Sequence, residues 1–257
     1  MKKIGIVGGV AWRSTVDYYS EICRRSEELH FAANLQGAPL TPEISIESLD
    51  LNRAVSYLGE SHNEESWSQF DDYHRMALIR LEASGAEVAL IASNTPHHRF
   101  KAIVRGIQIP VINIFETAAR ESARIRASHV LILGTALTMD SPEFRQEFAK
   151  WGIEAAGPDD GTARSRTAEL IAELQRGRLE GAANRLVAIA RASIERRFQT
   201  RTAVCLACTE LPLAFPEFKS LSVFDYDGMF YINTTAAHIN AVLDLAVPTI
   251  KSGQDSA

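Results

Sequence analysis

Two short stretches carry the residues best placed for chemistry. Ala207-Cys208-Thr209-Glu210 follows the apolar run Thr202-Ala203-Val204-Cys205-Leu206, which reads as a buried strand. A thiol there stands at the C-terminal end of a strand, where the loops of open α/β sheets do their work. The run Glu87-Val88-Ala89-Leu90-Ile91-Ala92 ends the same way, in Ser93-Asn94-Thr95. A cysteine and a serine therefore occupy comparable places on two strand ends. A thiol has a reference pKa of about 8.5, and a helix N-terminus or a nearby cation lowers it. Cys208 is thus a sensible acid or base. A serine hydroxyl donates a proton or a hydrogen bond, but is a poor base without a partner. His97 and His98 lie close to Ser93 in sequence, where a capping or solvated role is favoured over assistance to the serine. Cys205 and Cys208 form C-x-x-C, a redox or zinc spacing. With Cys205 inside the apolar run and no second ligand pair, Cys205 is expected to be structural and no metal site is expected.

The elements that must hold these residues alternate between strand and helix. Strands are expected at 3–7, 43–49, 87–92, 109–114, 129–133, 202–206 and 222–225. Helices are expected at 14–29, 67–83, after Pro96, at 115–126, 142–150, 162–175, 179–198 and 234–245. Residues 31–42 and 152–161 read as loops, and 52–65 as a loop or short helix. The polar tail after Pro248 is expected to be disordered. Such alternation is the signature of parallel sheets with helices on both faces. Gly8-Gly9 ends the first strand but lacks the G-x-G-x-x-G pattern, so it reads as a tight turn and not a dinucleotide loop. There is an internal echo. Gly8-Gly9 with Ser14-Thr15 resembles Gly134-Thr135 with Thr138, and Ser93-Asn94-Thr95 resembles Cys208-Thr209. The echo suggests two similar α/β lobes facing each other across a cleft.

Composition excludes several classes. The 257 residues permit one large domain or two small ones. A net charge of -5 gives no bulk electrostatic case for nucleic acid or an anionic membrane. No run approaches the roughly 20 apolar residues of a membrane span. Met1-Lys2-Lys3 is followed by a strand and a turn, not by the apolar region of a signal peptide, so a cytoplasmic protein is expected. Three cysteines are too few and badly spaced for a disulfide framework.

Gly5-Ile6-Val7-Gly8-Gly9-Val10, Ser93-Asn94-Thr95-Pro96-His97, Leu133-Gly134-Thr135 and Ala207-Cys208-Thr209-Glu210-Leu211 together resemble the aspartate/glutamate racemase family. These enzymes act without pyridoxal phosphate. The resemblance covers nearly the whole chain, with the motifs in order. It implies two similar Rossmann-like lobes with parallel sheets related by a pseudo-twofold axis, an active site between them, no cofactor and a homodimer. The implied lobes are 1–112 plus 225–257, and 113–224. The family usually places a cysteine at each of two strand ends. Cys208 matches the second, whereas Ser93 stands at the first. By the same resemblance Asn94, Thr95 and Thr209 hold the substrate's α-carboxylate and amino group. Gly9, Val10, Thr135 and Thr138 face the same cleft, and Ser48 lies near the side-chain carboxylate. Aspartate-selective members usually carry a lysine where this chain has Ser165, between Arg164 and Arg166. The segment 226–233 resembles an insertion.

Racemisation without a cofactor needs a base on one face of the α-carbon and an acid on the other. Cys208 and Ser93 supply that pair for an amino-acid or dicarboxylate substrate. Arg53, Arg164 and Arg166 are candidates for a distal carboxylate, though a solvated surface role is favoured for each. Two other readings remain open. One is a single-cysteine isomerase or decarboxylase resembling maleate isomerase or arylmalonate decarboxylase. The other is a non-catalytic binder of small carboxylates.

Overall fold

A computed structural model describes residues 1–60, 62–197 and 202–247. The expected tail after Pro248, and the expected helix end at Phe198, lie outside the described residues. The chain forms two compact units. The first comprises residues 1–91, 102–112 and 239 onward; the second comprises 92–101 and 113–238.

In chain order the first elements are β1 (Ile4–Gly8), α1 (Trp12–Ala32), β2 (Ile44–Ser48), α2 (Leu51–Ser56), α3 (Ser68–Ala83), β3 (Val88–Ile91), α4 (Phe100–Ile103) and β4 (Val111–Ile112). They build a four-stranded sheet of order β2-β1-β3-β4, parallel throughout. β1 and β3 are buried along their whole length. This explains their unbroken apolar runs: a central parallel strand is covered on both faces. β2 is an edge strand and alternates in exposure.

The following elements are α5 (Ile114–Arg124), β5 (His129–Gly134), α6 (Ala136–Asp140), α7 (Pro142–Ala149), β6 (Glu154–Ala156), α8 (Gly161–Gln175), α9 (Ala182–Arg197), β7 (Thr202–Ala207), β8 (Val223–Tyr226), β9 (Met229–Asn233) and α10 (Thr234–Ala246). The second sheet has order β6-β5-β7-β9-β8. Its strands run parallel except for the antiparallel β8–β9 pair. Both sheets therefore centre on their first strand, with the second strand on one side and the third on the other. β3 and β7, which lead into Ser93 and Cys208, hold the same topological place.

Residues 226–233, which resemble an insertion in the sequence, form part of the second sheet. Asp227 (φ 53°) and Gly228 (φ 72°) both adopt left-handed backbone, the geometry of a two-residue hairpin turn whose favoured sequence is Asp-Gly. The turn folds β9 back, and β9 pairs with β7 from Val204↔Tyr231 to Leu206↔Asn233. The second compact unit runs to His238 and also takes in 92–101. The expected loop at 152–161 contains the short strand β6, paired with β5.

Strand β7 divides the second core. Val204, Leu206 and Cys208 join the aliphatic cluster with Leu170, Leu174, Leu186 and Leu211. Ala203, Cys205 and Ala207 join the opposite cluster with Phe115, Phe144 and Phe148. This is the two-residue alternation of a strand. Phe115 and Phe144 stack with ring centroids 4.0 Å apart. Each such buried side chain contributes roughly 1.5–3 kcal/mol. Among the described residues no helix is long and apolar enough to cross a membrane.

Candidate active site

Cys208 is the first residue beyond β7 and is 7% exposed. The alternation along β7 places it and Cys205 against opposite cores. The C-x-x-C spacing therefore does not bring the two sulfurs together for redox or zinc chemistry. Both are free thiols, and burial alone pushes the Cys205 thiol up. Among the described residues no group of His, Cys, Asp and Glu side chains is arranged to hold a metal ion.

The environment of Cys208 differs from the sequence-based expectation. Its thiol is not lowered. Burial first, and then the negative charge and hydrogen bond of Glu210, raise it well above the ordinary cysteine value. Cys208 Sγ donates to Glu210 Oε2 at 2.9 Å, and Thr209 Oγ1 donates to the same oxygen at 3.2 Å. Glu210 is itself only 4% exposed. A buried carboxylate against a thiol disfavours the thiolate, but it also offers a place for the thiol's proton. Sequence reasoning quoted Glu210 as part of a motif and assigned it no role. The signal was available: a carboxylate two residues after a strand-end thiol, within a tight turn that folds back on itself. That turn is closed by Leu211 N–H donating to Cys208 O at 3.0 Å.

Ser93 lies two residues beyond β3 and is partly buried. The segment that carries it packs within the second unit, together with Cys208. Contacts from four of its side chains hold it there. Asn94 Nδ2 donates to Thr234 Oγ1 at 3.3 Å, and Thr234 Oγ1 donates to Leu206 O at 2.8 Å. This buried relay ties Ser93's neighbour to the strand that ends in Cys208. Thr95 Oγ1 lies 3.3 Å from Thr135 Oγ1. His97 Nδ1 is 3.2 Å from Asn113 Oδ1, the cap of α5. His98 Nδ1 is 2.9 Å from Glu143 Oε2 and 3.3 Å from Ser141 Oγ, the cap of α7. Both histidines thus engage helix N-termini, as the capping reading holds.

Three expected substrate binders form a chain of hydroxyls. Thr135 Oγ1 is 3.0 Å from Thr138 Oγ1 and 3.3 Å from Thr95 Oγ1. Gly134 lets this happen: a Cβ there would sit 2.5 Å from Ala207 O. Only glycine allows the ends of β5 and β7, and with them Thr135 and Cys208, to come so close. Asn94 Oδ1 and Thr235 Oγ1 are buried without a hydrogen-bond partner among the described residues. Such orphaned acceptors call for a ligand or water. Thr234 and Thr235 were read from sequence only as a helix start. Their role depends on β9, which sequence reasoning did not place in the sheet.

Gly9, Val10 and Ser48 belong to the first unit. β1 and β2 end in register at Gly8↔Ser48, so these three residues share one end of the first sheet. Gly9 has φ 88°, and a Cβ on it would lie 2.2 Å from Leu49 O. Its N–H donates to Thr15 Oγ1 at 2.9 Å. Among the arginine candidates, Arg164 is committed to Asp140 by two hydrogen bonds of 2.9 and 2.8 Å and to Pro158 O at 2.6 Å. Arg53 lies over the Tyr73 ring in the first unit. Ser165 and Arg166 are exposed.

Comparison with known proteins gives one family. The model described as Asp/Glu/Hydantoin racemase matches residues 7–242. Among solved structures, the chain is similar to an aspartate racemase homologue from Pyrococcus horikoshii OT3, at 26% identity and a TM-score of 0.73, covering 96% of this chain and 100% of that one. It is similar in fold to Picrophilus torridus aspartate racemase, at 18% identity and a TM-score of 0.67, covering 96% of this chain and 94% of that one. The same holds for glutamate racemase from Campylobacter jejuni subsp. jejuni, at 18% identity and a TM-score of 0.59, covering 95% and 85%.

Proposed function

Because the chain belongs to the Asp/Glu/Hydantoin racemase family, we propose that it is a cofactor-independent racemase of an acidic amino acid, with Cys208 and Ser93 as its acid/base pair. The observation that carries this reading is the buried Cys208–Glu210 contact at the end of β7. Glu210 takes the thiol proton, and the thiolate takes the α-hydrogen from the L-enantiomer. The α-carboxylate gains enolate character, and the hydroxyls of Thr95, Thr135 and Thr138 with Thr209 stabilise it as charge develops. Asn94 Oδ1 accepts a hydrogen bond from the substrate ammonium. Ser93 Oγ–H delivers a proton to the opposite face. The serine then recovers a proton from water, and Glu210 releases one. Gly9, Val10 and Ser48 bind the remainder of the substrate. The likeness to the aspartate racemase homologue of Pyrococcus horikoshii favours aspartate among the acidic amino acids. The protein works as a cytoplasmic homodimer without a cofactor.

One observation favours a second reading. A thiol raised well above its ordinary value is protonated at neutral pH and ready to protonate a carbanion. That suits a single-cysteine decarboxylase or isomerase of small diacids. A panel of L- and D-amino acids in deuterated buffer, followed by proton NMR, separates the two. Loss of the α-hydrogen from aspartate or glutamate supports the racemase. Carbon dioxide release from a substituted malonate, with no α-exchange in any amino acid, supports the second reading.

A further inference from the structure

The C-terminal end of α5 builds a second concave site. Arg120, Ala123 and Arg124 recur at helical spacing on one face of α5, and Ala127 follows its end. Together with Arg126, and with Trp151 and Ile153 from the turn between α7 and β6, they line an open surface cavity of about 520 Å³, in which the three arginines and Trp151 are exposed. This volume lies within the range of small-molecule sites, roughly 300–1,000 Å³. It is distinct from the site described above. Ala127 and Ile153 lie just before the starts of β5 and β6, two residues and one residue ahead respectively, whereas Thr135 and Cys208 follow the ends of β5 and β7. The length of a six-residue strand, roughly 20 Å, separates the two ends of the sheet.

The charge here is unbalanced. Arg124 is neutralised by Glu121, with hydrogen bonds of 3.1 and 2.8 Å. Arg120 and Arg126 have no carboxylate partner among the described residues. These two guanidinium groups therefore line the cavity with uncompensated positive charge. Arg126 also stands where a helix usually ends in glycine. Its φ is 56°, its N–H donates to Ala123 O at 2.9 Å, and Ala127 N–H donates to Ser122 O at 3.1 Å. A side chain at that left-handed position costs about 1 kcal/mol relative to glycine, and here that side chain lines the cavity. Across from it Trp151 is 52% exposed, a flat apolar surface free to stack.

We propose that this cavity binds a small molecule that joins a phosphate to a flat aromatic ring, of the nucleoside mono- or diphosphate class. Arg120 and Arg126 grip the phosphate through paired N–H···O bonds, and Trp151, with Ile153 and Ala123, takes the ring.

The test is isothermal titration of the full chain with ADP, adenosine and pyrophosphate at two salt concentrations. Arg126→Gly suits the left-handed backbone, and Arg120→Gln keeps a good helix former, so the doubly substituted chain should fold. Its melting temperature checks this. ADP should bind the unaltered protein more tightly than either adenosine or pyrophosphate, and less tightly at higher salt. Its affinity should fall on the order of tenfold or more in the Arg120→Gln/Arg126→Gly chain and should also fall in Trp151→Ala. Absence of ADP binding, or unchanged affinity in the doubly substituted chain, overturns the proposal. Pyrophosphate binding as tightly as ADP overturns the part assigned to the ring.

Discussion

Cys208 Sγ lies 2.9 Å from Glu210 Oε2, inside a turn that buries both residues. This contact sets the resting state of the thiol. It is protonated, raised by burial and by the charge of its neighbour. In the proposed mechanism its use as a base depends on Glu210 accepting the proton as substrate binds. If the pair works as a unit as proposed, each member's removal has a different signature.

Cys208→Ala should abolish turnover, by a factor of about 10³ or more, with the fold intact. Cys205→Ala should leave turnover close to that of the unaltered protein, because Cys205 faces the opposite core. It should lower stability by about 1 kcal/mol. Steady-state rates and urea denaturation of the two variants check this contrast. Full activity in Cys208→Ala removes the mechanism.

Glu210→Gln should separate the thiol's acidity from its usefulness. With the negative charge gone, one cause of the raised value disappears, so the thiol's pKa should fall toward the ordinary range while burial still holds it above. Alkylation by iodoacetamide across pH should show a lower midpoint in the variant. Turnover should nonetheless fall by about 10², since the proton acceptor is lost. An unchanged midpoint would show that burial alone sets the thiol.

Ser93→Cys should raise exchange of the D-enantiomer by at least about tenfold, because a thiol deprotonates far more readily than a hydroxyl. Proton NMR of the D-substrate in deuterated buffer reads this directly. No change would mean that serine is already the working acid/base.

Much of this site was legible in the sequence, for identifiable reasons. β3 and β7 are buried on both faces, so each wrote an unbroken apolar run that located Ser93 and Cys208. The echo between Gly8-Gly9 and Gly134-Thr135 reflects the shared order of the two sheets. The surroundings of Cys208 were not legible. Whether a thiol is lowered or raised depends on what packs around it, and the fold of Glu210 back onto Sγ is a tertiary fact. β9 was not legible because 226–233, which contains it, resembled an insertion, although Asp227-Gly228 carried the hairpin signal. The attachment of Ser93's segment to the second unit rests on Asn94–Thr234 and Thr95–Thr135 contacts between residues far apart in the chain. No local pattern encodes these.

His74 should make the fold sensitive to mild acid. It is fully buried, and its Nδ1 is 2.9 Å from Phe70 O, while Nε2 has no partner among the described residues. Burial lowers its pKa below the ordinary 6.5. The unfolded chain therefore binds a proton at about pH 6.5 that the folded chain refuses. The stability this group contributes is complete above that pH and is lost as pH falls below it. Urea unfolding at pH 7.5 and 5.5 should show a smaller acid-induced loss in His74→Phe than in the unaltered protein. An equal loss in both would place the acid sensitivity elsewhere.

The central claim is that Cys208 is the competent base and Ser93 the weaker partner. The equilibrium constant between enantiomers is one, so a slow serine step slows racemisation equally in both directions. The asymmetry must appear in exchange. The L- and D-enantiomers of aspartate, and then of glutamate, are incubated separately with the protein in deuterated buffer. Loss of the α-hydrogen is followed by proton NMR, and optical purity is followed in parallel. The account predicts that the L-enantiomer gains deuterium with retention faster than the D-enantiomer forms, while the D-enantiomer exchanges slowly. Equal early exchange rates for the two enantiomers would contradict it, because Ser93 would then be no weaker a base than Cys208.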